Sequence, residues 1–220
     1  MSLSQAPVQV LHDISVPIFP GMPIYPGDPG VVFEPAMEMC GGALANVTKI
    51  HIGSQTGTHF DTPNHILNNT ETVEKLPLSA CYGPAQVIYI PDSVQAIDTQ
   101  TLQQYEIGSC PRLLLKTRNS AFWSSHPTEF QKDFAALTED GAEYLAAHRI
   151  ELVGIDYLSI ELFHSEGLKA HKALLEKNIL ILEGLNLSLI SPGFYTLMAF
   201  PVLYQGLDGA PTRAVLMEER

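Results

Sequence analysis

Glu151-Leu-Val-Gly-Ile-Asp156 and Asn178-Ile-Leu-Ile-Leu-Glu183 flank Leu168–Lys177, and the three segments together decide the fold. Each outer segment is a short apolar run ending on a carboxylate, the pattern of a buried strand whose last side chain reaches a polar surface. Between them Leu168, His171, Leu174 and Leu175 share one face at helical spacing, and Asn178 supplies a stop. Upstream, Thr138–His148 reads as a second helix, with Thr138 as N-cap and a Tyr144, Leu145, His148 stripe. Arg112–Lys116 reads as a further strand. Strand, helix, strand, helix, strand from about residue 112 to 183 implies a parallel crossover unit.

Further out the pattern turns to β. Pro17–Pro35 is rich in Pro and Gly, which excludes a helix and predicts an extended segment with turns. Asn46–Ile52 alternates, with Thr48, Ile50 and Ile52 on one side and Val47, Lys49 and His51 on the other. Gln86–Ile90, Tyr195–Phe200 and Arg213–Met217 complete the set of strands. The expectation is an α/β fold, a single mixed-sheet domain over residues 1–220, with no repeat, low-complexity tract or linker to divide it.

Composition narrows the function. The chain has 220 residues, enough to bury roughly 70% of the unfolded surface. Its 12 Lys+Arg against 24 Asp+Glu give 12 − 24 = −12, with no basic cluster to hold phosphates, so nucleic acid is not an expected partner. Apolar runs fall well short of the ~18 residues of a membrane span, and residues 1–11 contain no Lys or Arg and no long apolar stretch, as a signal peptide would. The expected location is the cytoplasm. Cys40, Cys81 and Cys110 are too widely spaced for a thiolate metal site and odd in number for a disulfide framework.

The densest group of polar ligands is Gln55-Thr-Gly-Thr-His59-Phe-Asp61-Thr-Pro-Asn-His65. His and Asp suit Zn²⁺ or Mn²⁺, and a His outside the coordination sphere suits general base work. Fully extended, Gln55 and Asp61 would stand about 20 Å apart at ~3.3 Å per residue, so a fold at Gly57 must bring them together. Taken alone, the segment reads equally as a surface loop with ordinary histidines, and His171 as a core imidazole satisfied by a carbonyl. Glu183 resists that reading, because an unpaired carboxylate at the end of Ile179-Leu-Ile-Leu182 is costly to bury unless a metal or strong donor offsets it. Asp156 has the same character. A carboxylate at each of two strand ends, an inward His and a compact His/Asp segment suggest a binuclear metal hydrolase.

Thr56–His65 resembles the H-x-G-T-H-x-D-x-P-x-H signature of the cyclase family of metal-dependent hydrolases, which includes bacterial kynurenine formamidase and isatin hydrolase. Pro23-Ile-Tyr-Pro-Gly-Asp28 is similar to the family's P-x-W-P-G-D element, Gly154–Ser159 to its G-x-D-x-x-S, and Ala170-His171 through Ile181-Leu-Glu-Gly-Leu185 to its A-H-x-x-L-L…I-L-E-x-L. The resemblance implies a swivelling β/α/β fold and one or two ions of Zn²⁺ or Mn²⁺. One ion would be held by His59 and Asp61 with a ligand from Gln55, the other by Asp61, His171 and Glu183. It further implies His65 as general base or proton shuttle, Glu183 as a catalytic as well as metal-binding group, and Tyr25 and Asp156 near the substrate. The implied substrate is a small aryl formamide, cyclic amide or lactone, and the implied assembly a homodimer or homotetramer.

One position departs from the signature: Gln55 stands where the family has His. A neutral amide oxygen is a weaker Zn²⁺ ligand than imidazole, so a weakened or purely ligand-binding member of the same scaffold is the alternative, and dehydration or isomerisation would use the same metals. His51, roughly 13 Å upstream along a strand, would reach the site only across a bulge. His12, His126, His148 and His164 lie outside every matched element.

Overall fold

A computed structural model describes residues 9–219; the signal-peptide reading falls mostly on residues 1–8, outside that range. In chain order the strands are β1 (Gln9–Asp13), β2 (Val32–Met37), β3 (Val47–His51), β4 (His59–Asp61), β5 (Tyr82–Tyr89), β6 (Ala96–Ile97), β7 (Arg112–Lys116), β8 (Ala136–Leu137), β9 (Leu152–Ile155), β10 (Leu180–Glu183), β11 (Gly193–Pro201) and β12 (Gly209–Glu219). The helices are α1 (Thr99–Leu102), α2 (Phe122–Ser125), α3 (Glu139–Ala146) and α4 (Lys169–Leu175). Strands β5, β7, β9 and β10 run parallel side by side, as the crossover pattern predicts. β11 pairs antiparallel with β5, β12 with β11, and β1 adds to β12. The short β4 pairs with β10 on one side and the start of β12 on the other, closing the mixed sheet into a barrel.

Two cores explain the continuous apolar runs. On β7, Leu113 and Leu115 face an outer core shared with Leu145 of α3 and Leu174 of α4, while Leu114 faces the barrel interior with Leu152, Phe60, Leu182 and Leu216. A strand buried on both faces has no polar alternation. Thr138 caps α3 by accepting from the Gly141 amide at 3.2 Å.

Asn46–Ile52 contains strand β3 as expected, within a separate β2–β3 hairpin whose residues are exposed on both faces. One element differs from expectation. His59–Asp61, expected as part of a turn, is a buried strand. Three residues carrying two polar side chains are too short to show a β pattern in sequence, and the pairing comes from β10 and β12, distant along the chain.

Gly184 holds this closure in register. Its φ is +68°, and a Cβ there would sit 2.0 Å from the Gly57 carbonyl oxygen. The Thr58 hydroxyl donates to the Gly184 carbonyl at 2.6 Å and accepts from the Val16 amide at 2.9 Å, so three segments meet at this point. Gly184→Ala combines left-handed strain with a backbone clash. It is expected to lower stability by about 3 kcal/mol or more in denaturant titration; a loss below about 1 kcal/mol would show that the two segments can part freely.

Candidate metal centre

Strand pleating makes His59 and Asp61 neighbours on one face of β4 and sends Phe60 into the barrel core. The end of β10 supplies Glu183, and the buried face of α4 supplies His171. All four side chains are buried, and their polar atoms form a ring. His59 Nε2 lies 3.5 Å from Asp61 Oδ1 and 3.4 Å from Glu183 Oε2. His171 Nε2 lies 3.7 Å from Asp61 Oδ2 and 3.4 Å from Glu183 Oε1. Four ligands at ~2.0–2.1 Å around a tetrahedral ion stand about 3.3–3.4 Å apart, close to these edges.

Both Asp61 oxygens are buried with no hydrogen-bond donor, a costly state for a carboxylate. The residues therefore fit a divalent cation, and His, His, Asp and Glu are the donors that Zn²⁺ or Mn²⁺ takes. Two groups of side chains, His59/Asp61/Glu183 and Asp61/His65/His171, have ligand atoms mutually within 4.8 Å. Burial pulls the His59 and His171 imidazoles down, but hydrogen bonds and charge from the surrounding carboxylates prevail and push both up to about 10. Burial raises the Glu183 carboxyl, yet the two histidines hold it well below the usual range. A cation entering the ring takes the place of these imidazole protons, so its affinity falls on acidification.

The nitrogens facing away from the ring are spoken for. His59 Nδ1–H donates to the Gly57 carbonyl at 2.9 Å. His171 Nδ1 lies 3.0 Å from Glu161 Oε2. Glu161 also accepts the amides of Lys169 at 2.9 Å and Ala170 at 3.1 Å, so it caps α4, whose own N-cap position, Leu168, has no capping side chain. Burial raises Glu161, but the His171 hydrogen bond and charge bring it below the ordinary value. Sequence reading missed Glu161; its one signal is a carboxylate in the apolar run Tyr157–Phe163.

A cleft of about 190 Å³ opens over the ring, lined among others by Tyr25, Asp28, Gln55 and His65. Tyr25 packs edge-on against Phe130 at 5.4 Å and lies 6.0 Å from Phe163, and burial raises its hydroxyl pKa. Burial also raises the Asp28 carboxyl. Gln55 donates through Nε2 to Asp208 Oδ2 at 2.7 Å, with His65 Nδ1 3.0 Å from the same nitrogen. Burial lowers His65, but the charge of Asp61 and the Asp208 carboxylate, 3.5 Å from Nδ1, outweigh it, and the net shift is upward. Asp208, also missed in the sequence, is held well below the carboxylate range, first by His65.

Asp156 is not among the residues that line this cleft. Its carboxylate accepts the amide and hydroxyl of Thr117, both at 2.8 Å, and the amide and hydroxyl of Ser120 at 3.1 and 2.7 Å, while burial pushes it up to about 6. Its strand-end burial is satisfied by neighbouring donors, not by a ligand. His51 stays outside on β3, 3.2 Å from Glu34, and His12 lies against Glu218 at 3.4 Å. His126 meets Ser125, and His148 meets the Tyr144 carbonyl. His164 packs on Phe163, away from the cleft.

A family model described as "Putative cyclase" matches residues 12–162. Among solved structures, a potential metal-dependent hydrolase with cyclase activity is 30% identical, with a TM-score of 0.84, covering 97% of this chain and 100% of its own. A predicted metal-dependent hydrolase from Bacillus stearothermophilus is 31% identical, with a TM-score of 0.82 and coverage of 96% and 98%. Isatin hydrolase A from Labrenzia aggregata, bound to benzyl benzoate, shares the fold at a TM-score of 0.83 with 19% identity and coverage of 96% and 94%. With the family model spanning more than half the sequence and two structures at 30% identity or above matching nearly all of it, this chain belongs to the Cyclase family and has the fold of its metal-dependent hydrolases.

Proposed function

We propose that the protein is a metal-dependent hydrolase that cleaves the amide or ester bond of a small aryl formamide, cyclic amide or lactone, using Zn²⁺ or Mn²⁺. The observation that carries this reading is the Asp61 carboxylate, buried without a hydrogen-bond donor inside a ring of two imidazoles and a second carboxylate. His59, Asp61, His171 and Glu183 would hold the cation, which when bound supplies Lewis-acid polarisation of a carbonyl and a water acidic enough to react near neutral pH. The isatin hydrolase fold relatives support a cyclic amide among the candidates.

The chain's own residues do the rest. Tyr25, backed by Phe130 and Phe163, offers an aromatic wall to an aryl group. The cleft's volume, about 190 Å³, suits a small substrate, being below the ~300 Å³ at which drug-sized sites begin. His65, beside the ring and on the cleft wall, is the polar group assigned to the substrate's reacting atoms. Protein loaded with Zn²⁺ or Mn²⁺ is expected to turn over at least one member of a panel of aryl formamides, isatin-like rings and lactones. His65→Ala should reduce that rate by about 10²-fold or more with metal content unchanged. Binding without turnover across the panel would favour a ligand-binding protein, and well under one equivalent of metal would sink the reading altogether.

Glu161 supports the centre indirectly. By accepting from His171 Nδ1–H it leaves Nε2 as the ligating atom, and by capping α4 it fixes where the ring stands. Glu161→Gln is expected to weaken metal affinity about 10–100-fold in competition with a chelating dye. An unchanged affinity would mean that the helix alone orients His171.

The reading extends to a homodimer or homotetramer in the cytoplasm, where the three free cysteines would remain reduced. Two strands alone are marginally stable in water, yet the β2–β3 hairpin exposes Val32, Phe33, Met37, Val47 and Ile50. Leu203, Tyr204 and Leu207 of the same chain offer an exposed apolar surface on which a second copy's hairpin would rest. Light scattering is expected to give at least a dimer, and Ile50→Asp to lower the mass; a monomeric wild type at micromolar concentration would refute the assembly.

A further inference from the structure

Gln55 occupies the position that a metal-ligating His holds in the family signature; its amide nitrogen is engaged elsewhere, while Oε1 is buried without a hydrogen-bond partner. Nε2 is 2.7 Å from Asp208 Oδ2 and 3.0 Å from His65 Nδ1. The orientation of the amide follows from charge. A carboxylate at 2.7 Å requires the NH₂ group, since a carbonyl oxygen there would face another acceptor. The two hydrogens of that nitrogen are then both assigned, one to Asp208 and one to His65 Nδ1.

The amide has little freedom to turn away. Asp208 accepts the Ser54 hydroxyl at 3.0 Å on each oxygen, and its backbone carbonyl accepts the Thr62 amide at 3.0 Å and hydroxyl at 2.8 Å. Gly209 lies against the amide: a Cβ on it would sit 2.4 Å from the Phe60 carbonyl oxygen, 2.7 Å from Gln55 Nε2 and 3.0 Å from Oε1.

His65 Nδ1 lies 3.0 Å from the Gln55 amide nitrogen and 3.5 Å from Asp208 Oδ2; accepting from the nearer amide, neutral His65 carries its ring proton on Nε2. We propose that Gln55, carried on Asp208, is a positioning residue for His65: it fixes the ring as the Nε2–H tautomer, so that His65 meets the substrate as a hydrogen-bond donor. Such a donor stabilises negative charge developing on the carbonyl oxygen or leaving atom and does not take a proton from water, which makes it an electrophilic partner in place of a base. The word "substrate" here rests on the hydrolase reading, but the state of the ring does not.

Long-range ¹H–¹⁵N NMR on the metal-free protein in mildly alkaline buffer reads the His65 ring directly, with His65→Ala assigning the signals. Wild type is expected to show a protonated Nε2 and an unprotonated Nδ1. Gln55→Glu, which replaces the donor with an acceptor, should move the proton to Nδ1, and Gln55→Ala should leave a mixture of tautomers. A wild-type ring protonated on Nδ1, or a ring unaffected by Gln55→Ala, would each overturn the proposal. Absence of metal binding in wild type, with the expected tautomer present, would overturn the hydrolase reading and leave the positioning role standing.

Discussion

Two carboxylates and two imidazoles packed with a few per cent exposure each are the constraint on which the rest of the structure depends. Asp61 is the sharpest case, because its charge has no donor of its own and is balanced only by His59, His171 and whatever cation joins them. A charge left unpaired there would cost several kcal/mol, comparable to a large part of a domain's net stability. The fold therefore has to bring four ligands from three distant elements within about one coordination shell of each other, and to keep them there.

Barrel closure and ligand placement are the same event. Strand β4 is the last link between β10 and β12, and it is also the strand that carries His59 and Asp61. Its register pairs His59 with Glu183, so two ligands face each other across adjacent strands. The parallel strands β9 and β10 end at the same level, and α4 returns between them to add His171. Anything that opens the seam, such as bulk at Gly184, acts on fold and centre together.

What the sequence reveals follows from how local each signal is. Glu183 and His171 are legible because each interrupts an apolar pattern that would otherwise be complete, and the parallel unit is legible because strands buried on both faces read as unbroken apolar runs. β4 is not, since a three-residue strand has no room for a period. Asp156 shows the limit of the same logic: a carboxylate ending an apolar strand must be satisfied, but the residues alone do not say whether a ligand or Thr117 and Ser120 will do it. Asp208 is beyond local reading, because its partner Gln55 is 153 residues away. The alternation at Asn46–Ile52 is legible as a strand, but not the fact that both its faces remain in solvent, which depends on its standing apart from the main sheet.

The three histidines of the site are sorted by what touches Nδ1. His59 Nδ1–H donates to a backbone carbonyl and His171 Nδ1–H to Glu161, and each turns Nε2 toward the carboxylates, where a cation would replace its proton. The nearest partner of His65 Nδ1 is an amide nitrogen at 3.0 Å, closer than the Asp208 oxygen at 3.5 Å, which reverses the arrangement and puts the proton at Nε2. One ring nitrogen's neighbour thus separates a ligand from a donor among chemically identical side chains. On this view the change from His to Gln at position 55 does more than alter a ligand. It supplies the donor that makes His65 unlike its two neighbours, and the carboxylate of Asp208 is there because the amide must be held with that face toward the ring.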